Sequence, residues 1–186
     1  MATNMDGVRE PRGNRTRMVI WGFAVALFLL PLVARQVVDG MAWTGLDFLV
    51  WGVMLLVACG AYELVRRMSR DRWYRMGAGV AIVTAFLVFW VNGAVGMIGS
   101  EGNAYNLLFL GAIALGGLGA LVARFRAGGI ALALYATAAV HAIVSLVALA
   151  AGWDQLGSLL SLAFAVPWLV AARLFAKAAQ GQPLQQ

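Results

Sequence analysis

The chain is 186 residues long, 62% hydrophobic and only 12% charged. Soluble domains carry about 45–50% apolar and about 25% charged residues, so a soluble globular domain is excluded: there are too few charges to coat its surface. A net charge of +6 would suit nucleic acid only as one basic face; here the arginines flank apolar runs, and no nucleic-acid partner is expected.

A spanning helix needs about 20 mostly apolar residues. In chain order such runs occupy residues 18–38, 46–65, 77–99, 106–123, 129–151 and 156–175. Asp39 and Gly40 close the first run, and the arginine-rich stretch from Arg66 to Arg75 closes the second. Glu101, Gly102 and Asn103 separate the third from the fourth, Arg124 to Gly128 the fourth from the fifth, and Gly152 to Gln155 the last pair. Lipid cannot satisfy open strand edges, so the runs are predicted to be helices. The expected fold class is therefore all-α: a polytopic membrane protein built as a six-transmembrane-helix bundle. Residues 1–16 and 179–186 are polar, carry Gly and Pro, and read as disordered cytoplasmic tails around a transmembrane domain at 17–178. Pro31 and Pro167 are positioned to kink the first and sixth spans.

Charge orients the spans. Thirteen of the 14 basic residues fall on one side if there are six spans; Arg35 alone falls on the other. Basic loops stay cytoplasmic, so both termini are expected inside, with the loops around Asp39, Glu101 and Asp154 facing out. Trp43, Tyr105 and Trp153 then mark the outer boundary, and Trp73 and Tyr74 the inner one, as aromatic belts do. The rival is a cleaved signal peptide ending near Ala34, but its apolar core would be about 17 residues against the usual 7–15.

Chemistry-bearing residues are few. A lone cysteine, Cys59, precludes an internal disulfide, and a lone histidine, His141, precludes a two-histidine metal or haem pair. No catalytic set, metal site or cofactor is assigned. The richest segment is 90–106, WVNGAVGMIGSEGNAYN, in which Asn92, Ser100, Glu101, Asn103 and Asn106 are interleaved with Gly93, Gly96, Gly99 and Gly102. Carboxylate and carboxamides at the outer face suit a cation or a polar headgroup. The plainer reading is a capped helical hairpin, with Asn103 as the N-cap of the fourth span. Deeper in, His141 lies about 18 Å and Asn92 about 21–23 Å from the inner boundary at 1.5 Å per residue. Ser145 and Ser161 reach similar depth, which predicts a polar layer of Asn92, His141, Ser145 and Ser161. Such a layer either binds a ligand or proton or simply joins helices by hydrogen bonds. Glu63 is spaced to pair with Arg66 and Arg67 on its own helix, and Arg35 with Asp39. Ala112, Gly116 and Ala120, with Ala131, Ala138 and Ala142, mark faces for close packing or a subunit contact.

The 90–106 segment resembles a stretch in small, uncharacterised bacterial inner-membrane proteins, in which Trp-x-Asn leads through glycines to Gly-Ser-Glu-x-Asn. The resemblance covers about a tenth of the chain. It implies a bacterial inner (plasma) membrane and brings no activity. Three functions stay open. The first is a non-enzymatic ligand- or ion-handling protein, transporter- or channel-like, with Glu101, Asn92, Asn103, Asn106, His141 and Ser161 forming a ligand site in the outer half. The second is an accessory or assembly subunit, partnered in the bilayer by a second copy or another membrane polypeptide. The third is a membrane enzyme acting on lipid or quinone through Glu101 and His141, which the span boundaries put roughly 15 Å apart in depth.

Overall fold

The computed structural model describes residues 12–37 and 43–181, with side chains from Arg17 onward. Its regular structure is entirely helical: α1 (Arg12–Val37), α2 (Gly45–Met68), α3 (Arg72–Ala94), α4 (Leu107–Val122), α5 (Ala127–Ala150), α6 (Gln155–Ala163) and α7 (Ala165–Gln180). A single 3-10 turn, Ala104–Asn106, leads into α4. Six helical segments are long and apolar enough to cross a membrane, the fourth including the 3-10 turn and the sixth joining α6 to α7. The protein is thus an all-helical multi-pass membrane protein. The chain divides into two compact units, Met1–Glu63 and Leu64–Gln186.

Helix ends differ from the hydropathy boundaries for reasons of capping. Residues 12–16, read above as tail, are helical, as are Ala179 and Gln180; Asp39, Gly40 and the Arg35–Asp39 pairing lie outside the described residues. The third helix starts at Arg72, five residues before the apolar run, because the Asp71 carboxylate accepts the Tyr74 N–H at 2.7 Å and satisfies its first turn. Arg75 reaches back to the carbonyls of Ser69 (2.7 Å) and Arg66 (3.0 Å), closing the end of α2. At its other end α3 stops at Ala94, inside the predicted 77–99 span. Gly96 and Gly99 have φ of +81° and +70°, and a helix cannot pass through the left-handed region.

In the first unit, Thr44 and Asp47 cap α2 reciprocally: Thr44 N and Oγ1 donate to Asp47 Oδ2 at 2.7 and 2.8 Å, and Asp47 N donates to Thr44 Oγ1 at 3.4 Å. Pro31 sits inside α1 without ending it. Lacking an N–H, it leaves the carbonyl four residues earlier, that of Leu27, without its helical partner. The indole N–H of buried Trp51 donates to that carbonyl at 3.0 Å. Edge-on contacts of Phe48 with Phe28 and Trp43, at 6.5 and 5.2 Å between centroids, surround this pairing. Glu63 meets Arg17 at 4.0 Å, a partner from the first helix that local spacing did not predict.

The second unit is organised around α5, which packs against α4, α6 and α7, while α3 packs on α7. One core cluster joins Tyr74, Ala78, Ile130, Leu134, Trp168 and Phe175; the other joins Val88, Met97, Ile98, Phe109 and Ala148. Small residues set the helix spacing. A methyl on Gly77 would stand 2.9 Å from Phe175 Cδ2, and one on Gly116 would stand 3.0 Å from Thr137 Oγ1. Ala112 and Gly116 are buried between α4 and α5, so this small-residue face serves packing within the chain. Pro167 divides the sixth span. Its ring excludes the carbonyl of Ala163 from helical geometry, and Phe164 N turns back to Ser161 O at 3.0 Å before α7 resumes.

Candidate functional site

Residues 95–103 form a compact hairpin between α3 and the 3-10 turn, and Asn106 is its centre. Asn106 Oδ1 accepts the N–H groups of Met97 (3.1 Å) and Ile98 (2.9 Å), and its Nδ2 donates to Ser100 O at 2.8 Å. Its backbone carbonyl accepts Asn92 Nδ2 at 3.0 Å, tying the hairpin to the end of α3. Asn103 Oδ1 caps the 3-10 turn through Tyr105 N (3.1 Å), while Nδ2 donates to Ile98 O (3.0 Å). Gly96 is required here. A methyl on it would meet Ser100 O at 2.6 Å and Asn106 Nδ2 at 2.8 Å, in a backbone conformation already unfavourable to other residues.

The sixth span holds the hairpin from the far side. Asp154 accepts Gly99 N at 2.8 Å and, as N-cap of α6, Gly157 N at 3.0 Å. These two N–H groups, Gly157 first, stabilise the carboxylate and lower its pKa below the ordinary 3.8. Ser161 Oγ donates to Met97 O at 2.7 Å. Above them Tyr105 stacks on Trp153 at 4.4 Å and 26°. In the sequence Asp154 marks only an outward-facing loop. Its role was legible as an Asp three residues before Gly157 at the mouth of an apolar run, an N-cap pattern; its bond to Gly99 was not.

The predicted polar layer exists in part. His141 Nε2 lies 3.1 Å from Ser161 O and, since a carbonyl only accepts, carries the proton. Ser145 Oγ donates to His141 O at 3.0 Å. Asn92 is linked to this set through the hairpin, by way of Asn106, Met97 and Ser161. The His141 ring is fully buried, tilted against Phe109 at 4.8 Å, and its Nδ1 has no hydrogen-bond partner among the described residues.

Two grooves flank the hairpin. One, of about 440 Å³, is lined by Asn92, Glu101, Asn103 and Asn106 over an apolar floor that includes Phe89 and Leu110. The other, of about 260 Å³, lies against α6 and includes Met97, Gly99, Asp154 and Ser161. The six predicted site residues therefore separate: four share the first groove, Ser161 lines the second, and His141 lines neither. Within the first groove, Asn103 and Asn106 have both side-chain polar atoms engaged with backbone. Glu101 is exposed and makes no hydrogen bond or ion pair among the described residues, and Asn92 Oδ1 likewise accepts none. What the groove offers a ligand is thus two acceptors, one of them charged, beside apolar surface. Among the described residues no three His, Cys, Asp or Glu side chains converge on a point suited to a metal ion. Comparison of the chain with protein-family models, curated proteins and solved structures finds no match.

Proposed function

We propose that the chain is a non-enzymatic ligand-binding protein of the bacterial inner membrane, with both termini cytoplasmic and its site in the outer half, at the groove beside the hairpin. The observation that carries this reading is the division of labour among the polar residues. Asn103 and Asn106 build the loop, whereas Glu101 and Asn92 Oδ1 are left as acceptors on a 440 Å³ groove. Acceptors of this kind select a donor, and the carboxylate selects a cation. The apolar floor adds a preference for a ligand with a hydrocarbon part, so the ligand class is an amphipathic amine, as in an aminophospholipid headgroup.

The test is native mass spectrometry of the protein in nanodiscs of phosphatidylcholine with a minor fraction of phosphatidylethanolamine. Retention of phosphatidylethanolamine by the parent and its loss in Glu101→Gln support the reading. Equal retention by both overturns it. The accessory-subunit alternative is read from the same extraction. Stoichiometric co-extraction of another polypeptide would favour it. An enzyme pairing Glu101 with His141 draws no support from the two grooves, since neither is lined by both residues.

A further inference from the structure

The opposite end of the second unit carries a cluster that the groove reading does not use. Arg72 opens α3 and Lys177 lies near the end of α7, yet both come to one ring. The Arg72 guanidinium is 4.6 Å and the Lys177 ammonium 3.7 Å from the centroid of Trp73. The two cations are therefore no more than about 8 Å apart, a distance at which like charges repel unless screened or neutralised.

Among the described residues no acid neutralises them. Arg72 and Lys177 make no ion pair among the described residues. Leu64–Gln186 contains three acids, Asp71, Glu101 and Asp154. Glu101 and Asp154 belong to the hairpin end, and Asp71 caps α3 through Tyr74 N. Against that one acid stand nine basic residues at this end: Arg66, Arg67, Arg70, Arg72, Arg75, Arg124, Arg126, Arg173 and Lys177.

The place is also rigid. Tyr74, next to the shared ring, is buried against Phe175 at 4.8 Å and donates its hydroxyl to Phe125 O at 2.9 Å. That carbonyl sits in a turn where Arg124 and Phe125 hold φ of 50° and 58°, a conformation sparsely populated outside glycine. A tryptophan at a span end lies at headgroup depth, so the paired cations sit at the level of lipid phosphates.

We propose that Arg72, Trp73 and Lys177 form a binding site for the phosphodiester of an anionic phospholipid, the phosphate lying between the guanidinium and the ammonium with its glycerol backbone against the indole. Arginine supplies a planar fork for two phosphate oxygens and lysine a point charge for a third contact. The site is independent of the groove beside the hairpin.

The experiment uses the full-length protein in phosphatidylcholine nanodiscs containing a minor fraction of phosphatidylglycerol, with retained lipid counted by native mass spectrometry. Two double variants remove equal charge from the same end: Arg72→Gln/Lys177→Gln and Arg124→Gln/Arg126→Gln. The expected result is one retained phosphatidylglycerol in the parent and in the second variant, with retention reduced about 5- to 30-fold in the first, as one or two lost charge contacts imply. Lys177→Arg should retain the lipid, which separates loss of a contact from loss of the fold. Equal losses in both double variants would mean diffuse attraction and overturn the site, as would no loss in either. Inorganic phosphate added to the phosphatidylglycerol-containing nanodiscs distinguishes the source: a phosphate adduct that depends on Arg72 and Lys177 and displaces the lipid would overturn the lipid assignment.

Discussion

Replacing Asn106 with alanine should unlock the hairpin. The change removes the acceptor of the Met97 and Ile98 N–H groups, at 3.1 and 2.9 Å, and the donor to Ser100 O at 2.8 Å. Met97 and Ile98 are 2% and 0% exposed, so water cannot replace the lost acceptor. Ser100 is exposed, and its carbonyl can rehydrate. Each orphaned buried donor costs about 1–3 kcal/mol. Two of them, allowing for partial relaxation, give about 3 kcal/mol, or roughly 150-fold in the ratio of folded to unfolded chain. Asn106→Asp keeps the acceptor for Met97 and Ile98 but sets a carboxylate oxygen against Ser100 O, so the variant should gain stability as pH falls and the carboxyl acquires a proton to donate there. Reversible unfolding by sodium dodecyl sulfate in mixed micelles, followed by tryptophan fluorescence, measures both. An alanine variant within about 0.5 kcal/mol of the parent, the range of an ordinary surface change, would refute the claim that Asn106 organises the loop. So would an aspartate variant whose stability does not rise as pH falls.

Trp51→Phe should destabilise the first unit by about 1 kcal/mol in the same assay, because it strips the Leu27 carbonyl of its donor. In a Pro31→Ala background the alanine N–H takes over that carbonyl and the cost should vanish; an unchanged cost would show that the indole acts through packing alone. Glu101→Gln should leave the melting temperature unchanged while abolishing retention of phosphatidylethanolamine, since the carboxylate has no partner among the described residues. Asp154 predicts an acid limb of stability. Its folded pKa is depressed by the N–H groups of Gly157 and Gly99, so its contribution is complete above the ordinary value of 3.8 and drains away as pH falls through the lower folded value. Acid unfolding of Asp154→Asn should show a shallower dependence below about pH 4; a parent-like slope would place the acid sensitivity elsewhere.

The local residues of the hairpin were readable, and their partners were not. Glycines at 96 and 99 among asparagines announce a turn, and Asn103 announces a cap, because both effects act within a few residues. Asn106 is different. Seen in sequence it is one more carboxamide at a helix start, and only the return of the chain from α3 places Met97 and Ile98 on its oxygen. The same holds for Glu63, whose contact with Arg17 of the first helix lies beyond what local spacing announces.

The sequence by itself determined the six apolar spans, the all-helical class and the concentration of basic residues at alternate turns. Each follows from the cost of burying backbone and charge in hydrocarbon, which is paid residue by residue along the chain. Tertiary structure alone decided which polar groups are engaged and which are free. It joined Asp154 to Gly99, Ser161 to Met97 and Trp51 to the carbonyl released by Pro31, and it left Glu101 on an open groove. Those outcomes depend on which helices meet and at what depth, and hydropathy carries no information about helix neighbours because lipid and protein interiors are equally apolar.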